Sequence, residues 1–223
     1  MSTDLATAVR ADIWSDVACP FCYLGKRKLE AAAEQAGIDL EVTYHSFQLA
    51  PELAVDHVGS HAEMLGGKFS MPPEQVREVE AQMRGNFAEV GLVVNHDQIK
   101  IVNTGKAHEL LHLALRHGVQ PALKERLLKA YFTDGLNVAD TDTLVNLGAE
   151  VGLDADEVRA TLTDGRYADA VQADIAQARQ YGITGVPFFV LDSKFGVSGA
   201  QPVEVFADVL AQVVAARSGS VTQ

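Results

Sequence analysis

The chain of 223 residues holds two cysteines, Cys19 and Cys22, three positions apart in "SDVACPFCYLGKRKLE". At that spacing on a helix two sulfurs lie about one turn apart, within reach of a disulfide. Such a pair can attack and resolve a foreign disulfide, form half of a metal site, or merely be packed in a core. The elements around the pair favour the first. "AVRADIW" (Ala8 to Trp14) alternates like a strand, with Val9, Ala11 and Ile13 on one face. Pro20 then opens a helix through "FCYLGKRKLEAAAEQA", and Gly37 stops it. Cys19 therefore falls at a helix mouth, among unpaired N–H groups at the positive end of the dipole. Sites of this kind lower a thiol pKa from about 8.5 to roughly 3.5–7.5. The expectation is an attacking thiolate at Cys19 and a less exposed, resolving thiol at Cys22. Asp16 opposes that ionisation if it approaches in space.

Metal chemistry is the competing reading. A structural zinc site needs four ligands, and no second C-x-x-C is present. "HELLH" (His108 to His112) matches H-E-x-x-H, with Glu109 in the place of a base. Its helix, however, buries a stripe of Ala107, Leu110, Leu111, Ala114 and Leu115. His108 falls at the edge of that stripe, where it can line a groove; His112 and Glu109 point away, and His112 is expected in solvent. No third ligand follows. No G-x-G-x-x-G or P-loop appears, so no metal, flavin or nucleotide cofactor is expected.

The net charge is −12, with 48% hydrophobic and 22% charged residues, the balance of a globule with a core. "GKRK" (Gly25 to Lys28) is the densest basic cluster and reads as a solvated helix face. Nucleic acid and anionic membrane surfaces are unsuited to this balance. No apolar run reaches the 18 residues of a membrane span, and the first residues lack a basic then apolar leader. The expected location is cytoplasmic, where a close cysteine pair is catalytic, redox-sensing or metal-binding rather than a staple.

Further elements follow. "IDLEVTYHSFQL" (Ile38 to Leu49) reads as a second strand with Leu40, Val42 and Tyr44 on one face, parallel to the first by a right-handed crossover. From Pro51 to about Ala173 the β signal nearly vanishes and five helical patterns appear. A further helix, "RYADAVQADIAQARQYG", leads to "GVPFFVLD" and "SKFGVSG", two strands joined through Asp192-Ser193, and to a closing helix. The fold class is α/β. Residues 1–50 and 174–223 form one discontinuous sheet domain, and 51–173 an inserted helical subdomain.

"DIWSDVACPFCYLGKRKLE", "TGVPFFVLDSKFGVSGAQP" and the helical insertion together resemble the thioredoxin superfamily, in its DsbA-like branch and FrnE-like group. That group is related to 2-hydroxychromene-2-carboxylate isomerases and kappa-class glutathione transferases. The similarity runs from about Arg10 to Arg217. It implies a thioredoxin fold with a large all-helical insertion, and a thiol–disulfide oxidoreductase or disulfide isomerase. Cys19 matches the nucleophile, Cys22 the resolving cysteine, and Pro20 and Phe21 the dipeptide that tunes redox potential. Val186-Pro187 matches the cis-proline element, whose preceding residue pairs its backbone with the substrate. "NTGKAH" matches a groove segment, which brings Asn103 and His108 forward as substrate-binding candidates; Asn103 also suits a helix cap. Trp14 and Phe21 can line an apolar substrate groove, although Trp14 in a strand also suits a core. The implied partners are a disulfide-containing protein or small thiol, and an electron-donating thiol system. No cofactor is implied beyond a thiol co-substrate such as glutathione or mycothiol. Phe21 stands where periplasmic DsbA has histidine, which implies a more reducing couple. Two other functions stay open: a thiol-dependent small-molecule isomerase or transferase, and a polypeptide-binding, chaperone-like module.

Overall fold

The computed structural model describes residues 8–68 and 70–219. The outer ends of the expected sheet domain, 1–7 and 220–223, and position 69 of the insertion lie outside these residues. So does the start of the segment read for a leader.

Alternation makes β1 (Val9–Ser15) a strand, and Pro20 opens α1 (Pro20–Ala36), which ends on Gly37 in the left-handed region (φ 64°). β2 (Leu40–Ser46) pairs in parallel with β1, from Val9 opposite Leu40 to Ser15 opposite Ser46. The insertion contains a small antiparallel pair of β3 (Val58–Ser60) and β4 (Lys100–Val102), with α2 (His61–Lys68) and α3 (Pro73–Glu89) between them in the chain. Four helices follow: α4 (Gly105–Arg116), α5 (Gln120–Phe132), α6 (Thr141–Glu150) and α7 (Ala155–Asp164). Asp140 and Asp154 cap α6 and α7 by accepting the N–H of Thr143 and Glu157. α8 (Ala168–Gln180) returns the chain to the sheet, and β5 (Phe188–Leu191), β6 (Phe195–Ser198) and α9 (Val203–Gly219) close it.

The sheet order is β2-β1-β5-β6, with β5 antiparallel to β1 and to β6. Asp192 and Ser193 both take positive φ, 50° and 57°, the twist a two-residue hairpin needs. On one face Leu29, Phe206, Leu210 and Val213 from α1 and α9 pack on Val9, Ile13, Phe189 and Leu191. On the other, Ala178 of α8 and Ile183 cover Trp14. The helical core is separate and reaches the sheet domain through Val17, Tyr23 and Leu24. Glu125 of α5 fastens that junction, accepting from Tyr23 Oη at 2.7 Å, from Lys26 Nζ at 2.7 Å and from Arg27. Lys26 is consequently buried, so "GKRK" is not a solvated face; a carboxylate from another helix covers it.

β2 is an edge strand, and an edge leaves backbone groups open to pairing. Gln120 closes one position as a strand would: its Oε1 accepts from Tyr44 N and its Nε2 donates to Tyr44 O, both at 2.9 Å. The sequence expectation of five helices with almost no β between 51 and 173 is corrected by α2 and by the β3–β4 pair. Strands of three residues carry too little alternation to be read. α8 runs across position 174, where the sequence reading placed the end of the insertion, and its far half packs on the sheet.

α8 is held to the sheet by a charge cluster. Both His45 ring nitrogens lie 3.0 Å from carboxylate oxygens, Nδ1 from Asp174 and Nε2 from Asp12. Ser46 N donates to Asp174 at 2.7 Å, and His112 Nε2 lies 3.2 Å from it. His112 is thus not solvated, as the helical wheel suggested; the other face of α4 packs on the sheet domain. Burial pushes the His45 imidazolium down, but the two carboxylates outweigh it and raise its pKa above the usual 6.5. Burial likewise pushes Asp174 up, and its hydrogen bonds to His112, His45 and Ser46 bring it well below the usual range. A raised histidine stabilises below its unfolded pKa of about 6.5 and loses that contribution as pH rises through its folded pKa. A depressed aspartate stabilises above about 4 and loses that contribution as pH falls. Thermal melts across pH should therefore show a plateau between about pH 4 and 6.5 with a fall on either side. His45→Asn should flatten the alkaline fall; an unchanged alkaline limb contradicts the assignment.

Candidate active site

The loop between β1 and α1 sets both thiols. Cys19 is the N-cap residue of α1 (φ −94°, ψ 114°), and Cys22 N donates to Cys19 O at 3.1 Å. Both cysteines are free, and both are 3% exposed. The expected difference in exposure is absent because Cys19 faces a walled cavity rather than open solvent. Its Sγ lies 3.5 Å from Val186 O, and the Val186-Pro187 bond is cis. Gly25 permits this approach. A Cβ there meets Phe189 Cζ at 3.0 Å and Pro187 Cγ at 3.1 Å, both across the packed α1–β5 junction. Gly25→Val should cost about 1–3 kcal/mol by overpacking, read as a lower urea midpoint; an unchanged midpoint shows that the proline loop yields freely.

The electrostatics depart from the sequence expectation. The Cys19 sulfur makes no well-formed cap bond to α1, and the Cys22 N–H favours its thiolate only in part. The Cys19 pKa is pushed well up, by the hydrogen bond with Cys22, by burial and by the nearby Asp16 charge. Burial opposes the Cys22 thiolate too, but the bond to Cys19, the Lys124 charge and Ser15 outweigh it and lower that thiol. The two thiols are coupled through their mutual hydrogen bond, which raises Cys19 and lowers Cys22. Lys124 supplies the counter-charge. It is fully buried, its Nζ has no hydrogen-bond partner, and it lies 5.5 Å over the Tyr44 ring. The sequence reading missed Lys124, which looks like any helical lysine; only the fold brings α5 against this loop.

Asp16 is 1% exposed. It accepts from Ala18 N at 3.3 Å, Leu49 N at 2.8 Å and His108 Nε2 at 3.2 Å. Burial pushes its pKa up, yet His108, Leu49 and Lys124 outweigh it and keep the carboxyl ionised. His108 is therefore a buried partner of Asp16, not a groove residue. Asn103 is not among the residues that line the cavity Cys19 faces; one residue before the N-cap of α4, its Oδ1 accepts Gly105 N at 2.8 Å and its Nδ2 donates to Leu53 O at 2.7 Å. Trp14 is 2% exposed, stacks on His45 with centroids 4.5 Å apart, and donates to Asp174 O. It borders a separate cavity of about 420 Å³ with Tyr181 and Arg10, not the one above Cys19. Glu109 does not point to solvent; it is buried and accepts Tyr167 N at 3.3 Å. With His108 and His112 bound to different carboxylates, HELLH gathers no ligand set, and no group of three His, Cys, Asp or Glu among the described residues suits a metal ion.

The cavity above Cys19 measures about 570 Å³. Cys19, Pro20, Phe21 and Val186 form part of its wall, and α2, α3, α5, β4 and the loops that follow β2 and α3 supply most of the rest. Phe21 is half-exposed there. The structure thus brings Cys19, Cys22, Pro20, Phe21, Val186 and Pro187 together.

A thioredoxin-type sheet, a helical insertion and a dithiol beside a cis-proline define a class. The DSBA-like thioredoxin domain matches residues 10–211, and the chain belongs to that family of oxidoreductases. Its structure is similar to that of the probable DsbA oxidoreductase SCO1869 from Streptomyces coelicolor, with a TM-score of 0.87, 43% identity and coverage of 93% and 90% of the two chains. The uncharacterized protein YwbO of Bacillus subtilis is 27% identical over 89% of this chain and 94% of its own. The fold is also that of the cytosolic disulfide reductase DsbM from Pseudomonas aeruginosa, with a TM-score of 0.59, 21% identity and coverage of 92% and 98%. No helix among the described residues is long and apolar enough to cross a membrane.

Proposed function

We propose that the protein catalyses thiol–disulfide exchange through the Cys19–Cys22 couple. The observation that carries this is the sulfur pair at the mouth of α1, with Cys19 facing both Val186 O and a cavity. Cys19 attacks a disulfide R–S–S–R′, a Cys19–S–S–R bond forms, and the Cys19 proton passes to the leaving sulfur, which departs as R′SH. The Cys22 thiolate then attacks the Cys19 sulfur, closing the Cys19–Cys22 disulfide and releasing RS⁻, which takes a proton from water. An external dithiol reduces the couple again. Phe21 brings no positive charge to the pair, which fits a reducing role in a cytoplasmic setting, as named for DsbM. Equilibration in a series of dithiothreitol redox buffers tests the couple. Two thiols per chain should be lost and regained together, within one monomer. Thiols that persist at the oxidising end, or that form only intermolecular dimers, contradict it.

A further inference from the structure

The cavity that receives Cys19 has a consistent chemistry. Its wall is built mainly from Leu49, Leu53, Met64, Met83, Ile101 and Phe132. Among the described residues that line it there is no lysine or arginine. The one carboxylate, Asp16, has its oxygens taken by Ala18, Leu49 and His108. His61 is held by Glu80 at 3.0 Å. A ligand carrying carboxylates or an ammonium therefore finds no countercharge, and its desolvation goes uncompensated. An apolar ligand gains from leaving water. The volume lies in the range of small-molecule pockets. The Cys19 residue is 3% exposed, so a disulfide on a folded protein surface has no direct approach to its sulfur.

One polar atom in this wall is unpaired. His96 is 5% exposed, and its Nδ1 has no hydrogen-bond partner, alone among such atoms in belonging to this cavity's residues. Its ring lies 5.2 Å from that of His61. Burial and the neighbouring His61 both push its pKa down, so it offers a neutral imidazole. A buried unpaired polar atom calls for a partner, and a neutral one is matched by an uncharged hydroxyl or carbonyl.

We propose that the substrate of this site is a small, uncharged, largely apolar disulfide or thiol, with its sulfur at Cys19 and one uncharged polar group paired with His96. This rests on the thiol–disulfide reading above and sets that substrate apart from glutathione and from folded proteins. The test compares bis(6-hydroxyhexyl) disulfide, glutathione disulfide and insulin as oxidants of dithiothreitol, each rate divided by its uncatalysed rate. The hydroxyhexyl compound should show a kcat/KM at least tenfold above glutathione disulfide. His96→Phe, which keeps the wall apolar, should reduce that advantage to threefold or less. Where circular dichroism shows that this variant is unfolded, Met83→Lys takes its place, and the advantage should vanish as glutathione disulfide improves. Faster turnover of glutathione disulfide or insulin by the wild type overturns the substrate assignment and leaves the exchange chemistry standing. Absence of turnover with all three, the wild type matching a Cys19→Ser control, overturns the exchange reading itself.

Discussion

Cys19→Ser should abolish disulfide turnover, lowering the catalysed rate by at least about a thousandfold, on the order of what loss of a covalent nucleophile costs. The fold should be unaffected. Cys19 is a small N-cap residue without a side-chain capping bond, and serine is a favoured N-cap. The variant should therefore melt within about 1 kcal/mol of the wild type, and the assay reads chemistry alone. Stopped-flow oxidation of dithiothreitol by a small disulfide measures it. Retained turnover in a folded variant assigns the attack elsewhere, and the other cysteine, with its lowered pKa, is then the candidate.

Lys124→Met should have effects of opposite sign on stability and on catalysis. An amine that is fully buried and unpartnered is costly to keep, so an apolar side chain of similar length should stabilise the fold by about 1–3 kcal/mol. Burial depresses the ammonium, and Cys22, Asp16 and Cys19 on the β1–α1 loop hold it up, with Lys26 of α1 opposing. Tyr44 of β2 lies under it. Losing this charge removes the countercharge of the Cys22 thiolate. Closure of the Cys19–Cys22 disulfide should slow about tenfold, and the thiolate absorbance at neutral pH should fall, while Asp16 stays ionised through His108. Urea denaturation, rapid-quench kinetics and a pH titration at 240 nm read the three quantities. Lower stability with unchanged kinetics makes Lys124 a structural residue only.

The two cases show what a sequence discloses and what it hides. β1, α1, β2 and the final hairpin were legible because alternation, Pro20, Gly37 and Asp192-Ser193 are local signals. The dithiol was legible for the same reason, and the resemblance that linked it to Val186-Pro187 spans most of the chain. What could not be read is every partner supplied by a distant element. Asp16 lies 92 positions from His108, and Gln120 is 76 positions from the Tyr44 it caps. His108 and His112 were placed by the helical wheel of α4 alone, which knows nothing of the sheet packed on its other side. The lowering of Cys22 by Lys124 could not be read for the same reason. A helix mouth is visible in sequence, but a lysine from the insertion is not.

The central claim is that Cys19 is the attacking sulfur and Cys22 the resolving one, and Cys22→Ser tests it most directly. Without the second thiol the mixed disulfide has no internal exit. After exposure to bis(6-hydroxyhexyl) disulfide and an acid quench, intact-mass and peptide spectra should show one half-molecule of the disulfide on Cys19, at close to one per chain and removable by dithiothreitol. An unmodified Cys19, in a variant whose fold is intact, contradicts the account.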